Sequence, residues 1–135
     1  MKKCPVCKKG KLERKKIKET YTYKGQSIDI EQPGEWCDRC KEGILTSADI
    51  KTTEKILHDF RANIDGFLVS DEVRRIRKKL GLTQRQAAEF CGGGPNAFGR
   101  YERGEALQMR ATDSLLHLLD KHPELLVELM QAEAA

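Results

Sequence analysis

The chain has no long apolar run, and nothing in its 135 residues approaches the ~18 consecutive apolar positions that a membrane span requires. Its basic start, MKKCPVCKKGK, is followed by no apolar h-region, so it does not read as a secretory signal. Aromatic residues are only 6% of the chain, and beyond Tyr21 and Tyr23 there is no basic-aromatic platform on which RNA bases would stack. The three histidines, His58, His117 and His122, show no ligand spacing. No Ser/His/Asp or Cys/His set presents itself either, so an enzyme is not expected. Cysteine is scarce, at five residues, yet four of the five fall into one pattern written twice. A chain with no membrane span and no secretory signal is expected in the cytoplasm, where thiols stay reduced and paired C-x-x-C motifs favour metal over disulfide.

The repeated pattern is CPVCKKG at 4–10 and CDRCKEG at 37–43, which gives the spacing C-x2-C-x29-C-x2-C. Two such turns brought together place four thiolates at tetrahedral corners, and Zn²⁺ accepts them at Zn–S ~2.3 Å. The predicted ligands are Cys4, Cys7, Cys37 and Cys40, holding one structural zinc per chain with no open position for water or substrate. A redox site would need a single C-x-x-C at a helix start beside a sheet. Spacing alone does not separate zinc from a rubredoxin-like iron. Gly10 and Gly43 are expected to supply the positive φ that lets backbone amides fold over the sulfurs. Between the knuckles, Tyr21 and Tyr23 alternate before Lys24-Gly25, and Ile28 and Ile30 alternate after it, which predicts a β-hairpin turning at Gly25. Trp36, beside Cys37, is expected to cover the metal site. The free edge of this hairpin is a natural place for a partner strand.

Charge is uneven: residues 2–16 carry eight Lys/Arg against Glu13 alone, and RRIRKK at 74–79 carries five in six, on a net charge of +4. Two basic zones fit a polyanion partner as well as a solvated surface. Residues 47–61 predict a helix capped by Ser47, with an apolar stripe of Ile50, Leu57, Phe60 and Ile64. Asn63-Ile64-Asp65-Gly66 breaks that pattern. The expected architecture is therefore two small domains: residues 1–66, an α+β zinc ribbon of hairpin plus helix, and residues 67–135, an all-α five-helix domain. Arg61 is a candidate phosphate contact.

In the second half Val73, Ile76 and Leu80 mark one helix and Thr83 caps the next. Gly92-Gly93-Gly94 then leads into a short helix. LTQRQAAEF, a turn and FGRYERG resemble the Cro/repressor-type helix-turn-helix. Phe98 and Tyr101 are three apart and face inward, while Asn96 and Arg100 are four apart on the opposite face. Asn pairs bidentately with adenine and Arg with guanine in the major groove, so these two are the candidate base readers. The competing role is structural: Asn96 as a helix cap and Arg100 paired with a glutamate. In this fold class the helix start at Thr83 and Gln84 points at a phosphate. Arg77, on the basic helix, and Arg103 are further backbone-contact candidates. The leucine-rich tail, from Leu115 to Met130, offers more apolar surface than one small unit needs, and part of it suits a dimer.

CPVC near the start, the second C-x-x-C at 37–40, FRA at 60–62, VRRIRKKLGLTQ at 73–84, GGGPNAFGRYERG at 92–104 and LLDKHPELL at 118–126 together resemble one family. It is the MqsA antitoxins of bacterial type II toxin–antitoxin systems, also called YgiT-type zinc fingers. The resemblance implies that the zinc domain binds and neutralises a ribonuclease toxin of the MqsR kind. It also implies a homodimer whose C-terminal domain represses its own operon at a palindromic operator on double-stranded DNA, with Asn96 and Arg100 as base readers. The loop EALQMRATD departs from the family in lacking a proline. The alternative function is a stand-alone zinc-containing transcriptional regulator with no toxin.

Overall fold

The computed structural model describes residues 2–134, with side chains through residue 132. The chain forms two compact units, the first ending at Leu57 and the second beginning at His58. Among the described residues, no helix is long and apolar enough to cross a membrane.

The first unit is built on a long antiparallel hairpin of β1 (Leu12–Tyr23) and β2 (Gln26–Cys37), with a two-residue β3 (Gly43–Ile44) on the far side of β2. Tyr21 pairs with Ile28 and Tyr23 with Gln26, so the loop is Lys24-Gly25, as the alternation predicts. Both loop residues are left-handed, at φ 49° and 80°, which is the two-residue turn whose twist matches the flanking strands. Most β1 side chains are exposed. The buried cluster of this unit is Cys4, Leu12 and Cys37, with Cys7 and Cys40 packed against it.

α1 (Ser47–Asp65) starts differently from the sequence expectation. The cap is Thr46: its hydroxyl accepts from the Asp49 amide at 3.1 Å, and the Asp49 carboxylate accepts from the Thr46 amide at 2.9 Å. Asp49 also takes a two-pronged bond from Arg14 of β1 at 3.0 and 3.2 Å. Arg14, then the Thr46 amide, hold its carboxyl down at about 2. Thr53 donates to Gln32 of β2, and Gln32 donates to the Asp49 carbonyl. These polar bonds set which face turns inward. Asp49 and Thr53 are buried while Ile50 is 50% exposed, so the expected apolar stripe is displaced at its first position.

The second unit holds α2 (Ser70–Lys79), α3 (Gln84–Cys91), α4 (Ala97–Glu102), α5 (Arg110–Lys121), a 3₁₀ turn (Pro123–Leu125) and α6 (Leu126–Ala134). Its core is Val73 and Ile76 of α2, Ala87 and Ala88 of α3, Ala97, Phe98 and Tyr101 of α4, and Leu116 of α5. The last turns of α1 belong with this unit for a visible reason. The residue before α2 is Val69, which has no capping group, and Asp59 of α1 supplies one. Its carboxylate accepts from the Ser70 amide at 2.9 Å and from the Ser70 hydroxyl at 2.8 Å. On the other side, buried Asp113 of α5 accepts from the Leu68 amide at 2.8 Å and from Gln108 at 2.9 Å. The segment between α1 and α2 is thus tied to the helices around it.

Asp59→Ala removes an N-terminal cap and leaves the Ser70 amide without its partner. It is expected to lower the stability of the helical unit by about 1–2 kcal/mol. Asp59→Asn, which keeps one acceptor, should lose less. Denaturant melts followed by far-UV circular dichroism check this, and an unchanged midpoint in Asp59→Ala would refute it.

Candidate metal centre and nucleic-acid face

The four cysteines of the two knuckles converge. Their sulfurs all lie within 4.8 Å of one another, with Cys4 to Cys40 at 3.7 Å and Cys7 to Cys37 at 3.6 Å. A tetrahedron with ~2.3 Å metal–sulfur bonds has edges of about 3.8 Å, so the donor set fits a metal ion with little adjustment. The backbone supports the sulfurs. The Gly10 amide donates to Cys7 Sγ at 3.3 Å, and the Arg39 and Cys40 amides donate to Cys37 Sγ at 3.3 and 3.4 Å. The sulfurs share charge unequally: the Gly10 and then the Lys9 amide hold the Cys7 thiol down at about 6, while for Cys40 the lowering by the Glu42 amide is outweighed by burial and the Cys37 sulfur, which push it up to about 12. The knuckles are joined directly, since the Lys11 amide donates to Asp38 Oδ1 at 2.9 Å and the Asp38 amide to the Lys11 carbonyl at 3.2 Å.

The role of the two glycines needs correcting. Positive φ falls one residue after each second cysteine, on Lys8 at 61° and Lys41 at 66°, and not on Gly10 or Gly43. The glycines are needed for space. A Cβ on Gly10 would stand 2.4 Å from Cys37 Sγ, and one on Gly43 would stand 2.4 Å from the Trp36 ring. Trp36, buried, lies against the end of the second knuckle through Gly43.

In the second unit, Asn96 and Arg100 are both exposed, while Phe98 is fully buried and Tyr101 nearly so. The Phe98 and Tyr101 rings meet edge-on, 5.3 Å between centroids. Asn96 precedes α4 but its side chain makes no cap bond. Arg100 has no ion-pair partner among the described residues. The turn before α4 runs through Gly92, Gly93 and Gly94 at φ 79°, 93° and 89°, a path that other residue types would adopt only under strain.

The phosphate-contact candidates are placed unequally. Thr83 caps α3 in a full capping box with Gln86. Gln84 is exposed, and its Nε2 donates to Glu102 at 3.3 Å. Arg103 is exposed and pairs with Glu105 at 3.0 Å. Arg61 lies exposed on α1. Arg77 is used differently from expectation. Its Nε and Nη2 donate to the two oxygens of buried Glu102 at 2.7 and 2.9 Å, and Nη1 donates to the Leu82 carbonyl at 2.9 Å. With 12% of its side chain exposed, this guanidinium is committed inside the fold and is not free for a phosphate. Glu102 was not visible as a functional position in the sequence. Its only sequence signal is its place six residues after Asn96, which puts it off the outward face.

The profile of a family described as the antitoxin component of a bacterial toxin–antitoxin system, MqsA, matches residues 1–130. Antitoxin MqsA of Escherichia coli (strain K12) is 40% identical over 129 residues, covering 94% of this chain and 98% of that protein. The solved N-terminal domain of the E. coli protein MqsA aligns with a TM-score of 0.44 at 26% identity, covering 48% of this chain and 98% of that one.

Gly10→Ala is expected to abolish metal retention, because its methyl group occupies the space of the Cys37 sulfur. Gly25→Ala, whose added Cβ meets nothing within 4 Å, should retain the metal at the cost of turn strain alone. Elemental analysis of the two purified variants checks this; metal retained in Gly10→Ala would overturn the steric assignment.

Proposed function

The chain belongs to the MqsA family of antitoxins, and from that premise we propose that it is a homodimeric antitoxin and transcriptional repressor. The family is one of antitoxins and not a class of enzymes. Its second unit binds a palindromic operator in double-stranded DNA, with Asn96 and Arg100 reading base edges in the major groove. Gln84, Thr83, Arg103 and Arg61 contact the backbone. Its first unit, organised by one structural Zn²⁺ on Cys4, Cys7, Cys37 and Cys40, binds and neutralises a ribonuclease toxin of the MqsR kind. The cytoplasm, which keeps these thiols reduced, is the compartment that suits it. By function we divide the chain at 1–66 and 67–135, although the last turns of α1, from His58, pack with the helical unit.

The observation that carries the reading is the division of α4 into two faces. One face is core, through Phe98 and Tyr101; the other presents an amide and a guanidinium one turn apart with no side-chain partner among the described residues. Base recognition needs that pairing of groups on a helix. Zinc is supported by the all-thiolate donor set, which leaves no position open and so favours a structural ion. Dimerisation is supported by the apolar hollow lined by Leu115, Leu118, Leu119, Leu125 and Leu129, and by Val127 and Met130, each more than half exposed. Toxin docking is supported by exposed Val6, Ile44 and Ile50 in the first unit and by β1 at the sheet edge.

Arg100→Ala is expected to cost ~1–3 kcal/mol on promoter DNA and little on random duplex. Equal weakening on both would place base reading elsewhere. A chelator should melt the first unit by circular dichroism while promoter binding persists; simultaneous loss of both would refute independent roles. Purification from the native host, with mass spectrometry of co-purifying proteins, is expected to recover a small ribonuclease. Its absence would leave the regulator without a toxin.

A further inference from the structure

We propose that Gly99 is a positioning residue for DNA binding: its bare backbone holds the Arg103 guanidinium and the Gln84 amide together beside Asn96 and Arg100. The inference rests on α4 being the base-reading helix. Gly99 lies mid-helix, where glycine is the second-worst residue for helix stability, so its presence calls for a reason. Its φ is helical, so the reason is not conformational. Space is the reason. A Cβ built on Gly99 would stand 3.0 Å from Arg103 Nη1, 3.2 Å from Gln84 Oε1 and 3.8 Å from Arg103 Cζ. The guanidinium of one helix and the amide of another therefore converge over the one α4 position that has no side chain.

The pair has the chemistry of a phosphodiester clamp. A guanidinium has five N–H donors, and Glu105 takes one Nη2 donor at 3.0 Å in an exposed pair that a phosphate can compete with. The Gln84 amide nitrogen donates to Glu102, the carboxylate that Arg77 also grips, so Gln84 is held from inside the fold while its Oε1 and Arg103 Nη1 both approach Gly99. Both residues are exposed; Arg103 follows Arg100 by three positions and Asn96 by seven, which puts it on their face of the helix, and Gln84 reaches that helix at Gly99. A cation anchored there fixes the register of α4 on the duplex, which is what backbone contacts supply to base contacts.

All three atoms that a Cβ would meet belong to the ends of flexible side chains. Gly99→Ala therefore displaces them without breaking the core, and alanine is the better helix former. The test uses the full-length protein with two probes, a duplex carrying the promoter upstream of its own operon and a random duplex of equal length. Affinity is measured across a salt series for Gly99→Ala, Arg103→Ala, the double variant and Arg100→Ala. Gly99→Ala is expected to melt no lower than wild type, to bind both duplexes about three- to tenfold more weakly, and to lose about 1 from the salt slope. Arg103→Ala should do the same, and the double variant should bind no more weakly than Arg103→Ala alone. Wild-type affinity in Gly99→Ala, or losses that add in full, overturns the proposal. If Arg100→Ala meanwhile removes promoter preference, only the role of Gly99 falls; if Arg100→Ala is also silent, the assignment of α4 falls with it.

Discussion

The first unit depends on sulfur. Cys4 and Cys37 are each 1% exposed, and apart from Leu12 the cluster they form consists of the other two thiols. The long hairpin above it leaves most of its β1 side chains in water, so it has little apolar surface to offset the entropy of ordering two twelve-residue strands. Thiolates 3.6–3.7 Å apart repel one another unless a cation lies among them. A metal held there would remove that repulsion and close the loop between the knuckles in the same step, the way small metal sites couple binding to folding. The Lys11–Asp38 bonds follow from bringing the knuckles together, while the hairpin register is fixed at the other end by the two-residue Lys24-Gly25 turn.

The second unit solves the same problem with hydrocarbon and one buried ion pair. α4 has six residues, far too few for a helix to persist by its own hydrogen bonds. Ala97, Phe98 and Tyr101 fasten it to α2, α3 and α5 through the core. Glu102 then fixes its rotation, because both of its oxygens are gripped by Arg77 of α2. A buried ion pair is weak evidence for stability, since desolvation offsets much of the attraction. Its geometric effect is firmer. With Phe98, Tyr101 and Glu102 all held inward, Asn96 and Arg100 face solvent.

Features set by local chemistry could be read from the sequence. The two knuckles, the Lys24-Gly25 turn, the Thr83 cap and the inward Phe98–Tyr101 pair each depend on residues a few positions apart. What could not be read depends on partners far along the chain. Nothing near Asp49 announces that Arg14, 35 residues away, will pair with it and turn that face of α1 inward at the expense of Ile50. Arg77 sits in a run of five basic residues, and only Glu102, 25 positions later, separates it from its neighbours. Asp59 looks like an ordinary helix-surface acid until α2 is found to start beside it without a cap of its own.

The glycines show the same limit in another form. A sequence reports that a side chain is missing but not whether the backbone angle or the space required its absence. Gly25 answers to the angle, since an added Cβ there would meet nothing. Gly10 and Gly43 answer to space, and their positive-φ duty has passed to Lys8 and Lys41, two residues before each. The doubled phrase therefore encodes one backbone path written twice, while the surroundings of its two copies differ. One glycine faces a ligand sulfur and the other an indole ring. Substituting the first intrudes on the metal's own coordination, and substituting the second intrudes only on packing, so two positions identical in the motif are unequal in the site.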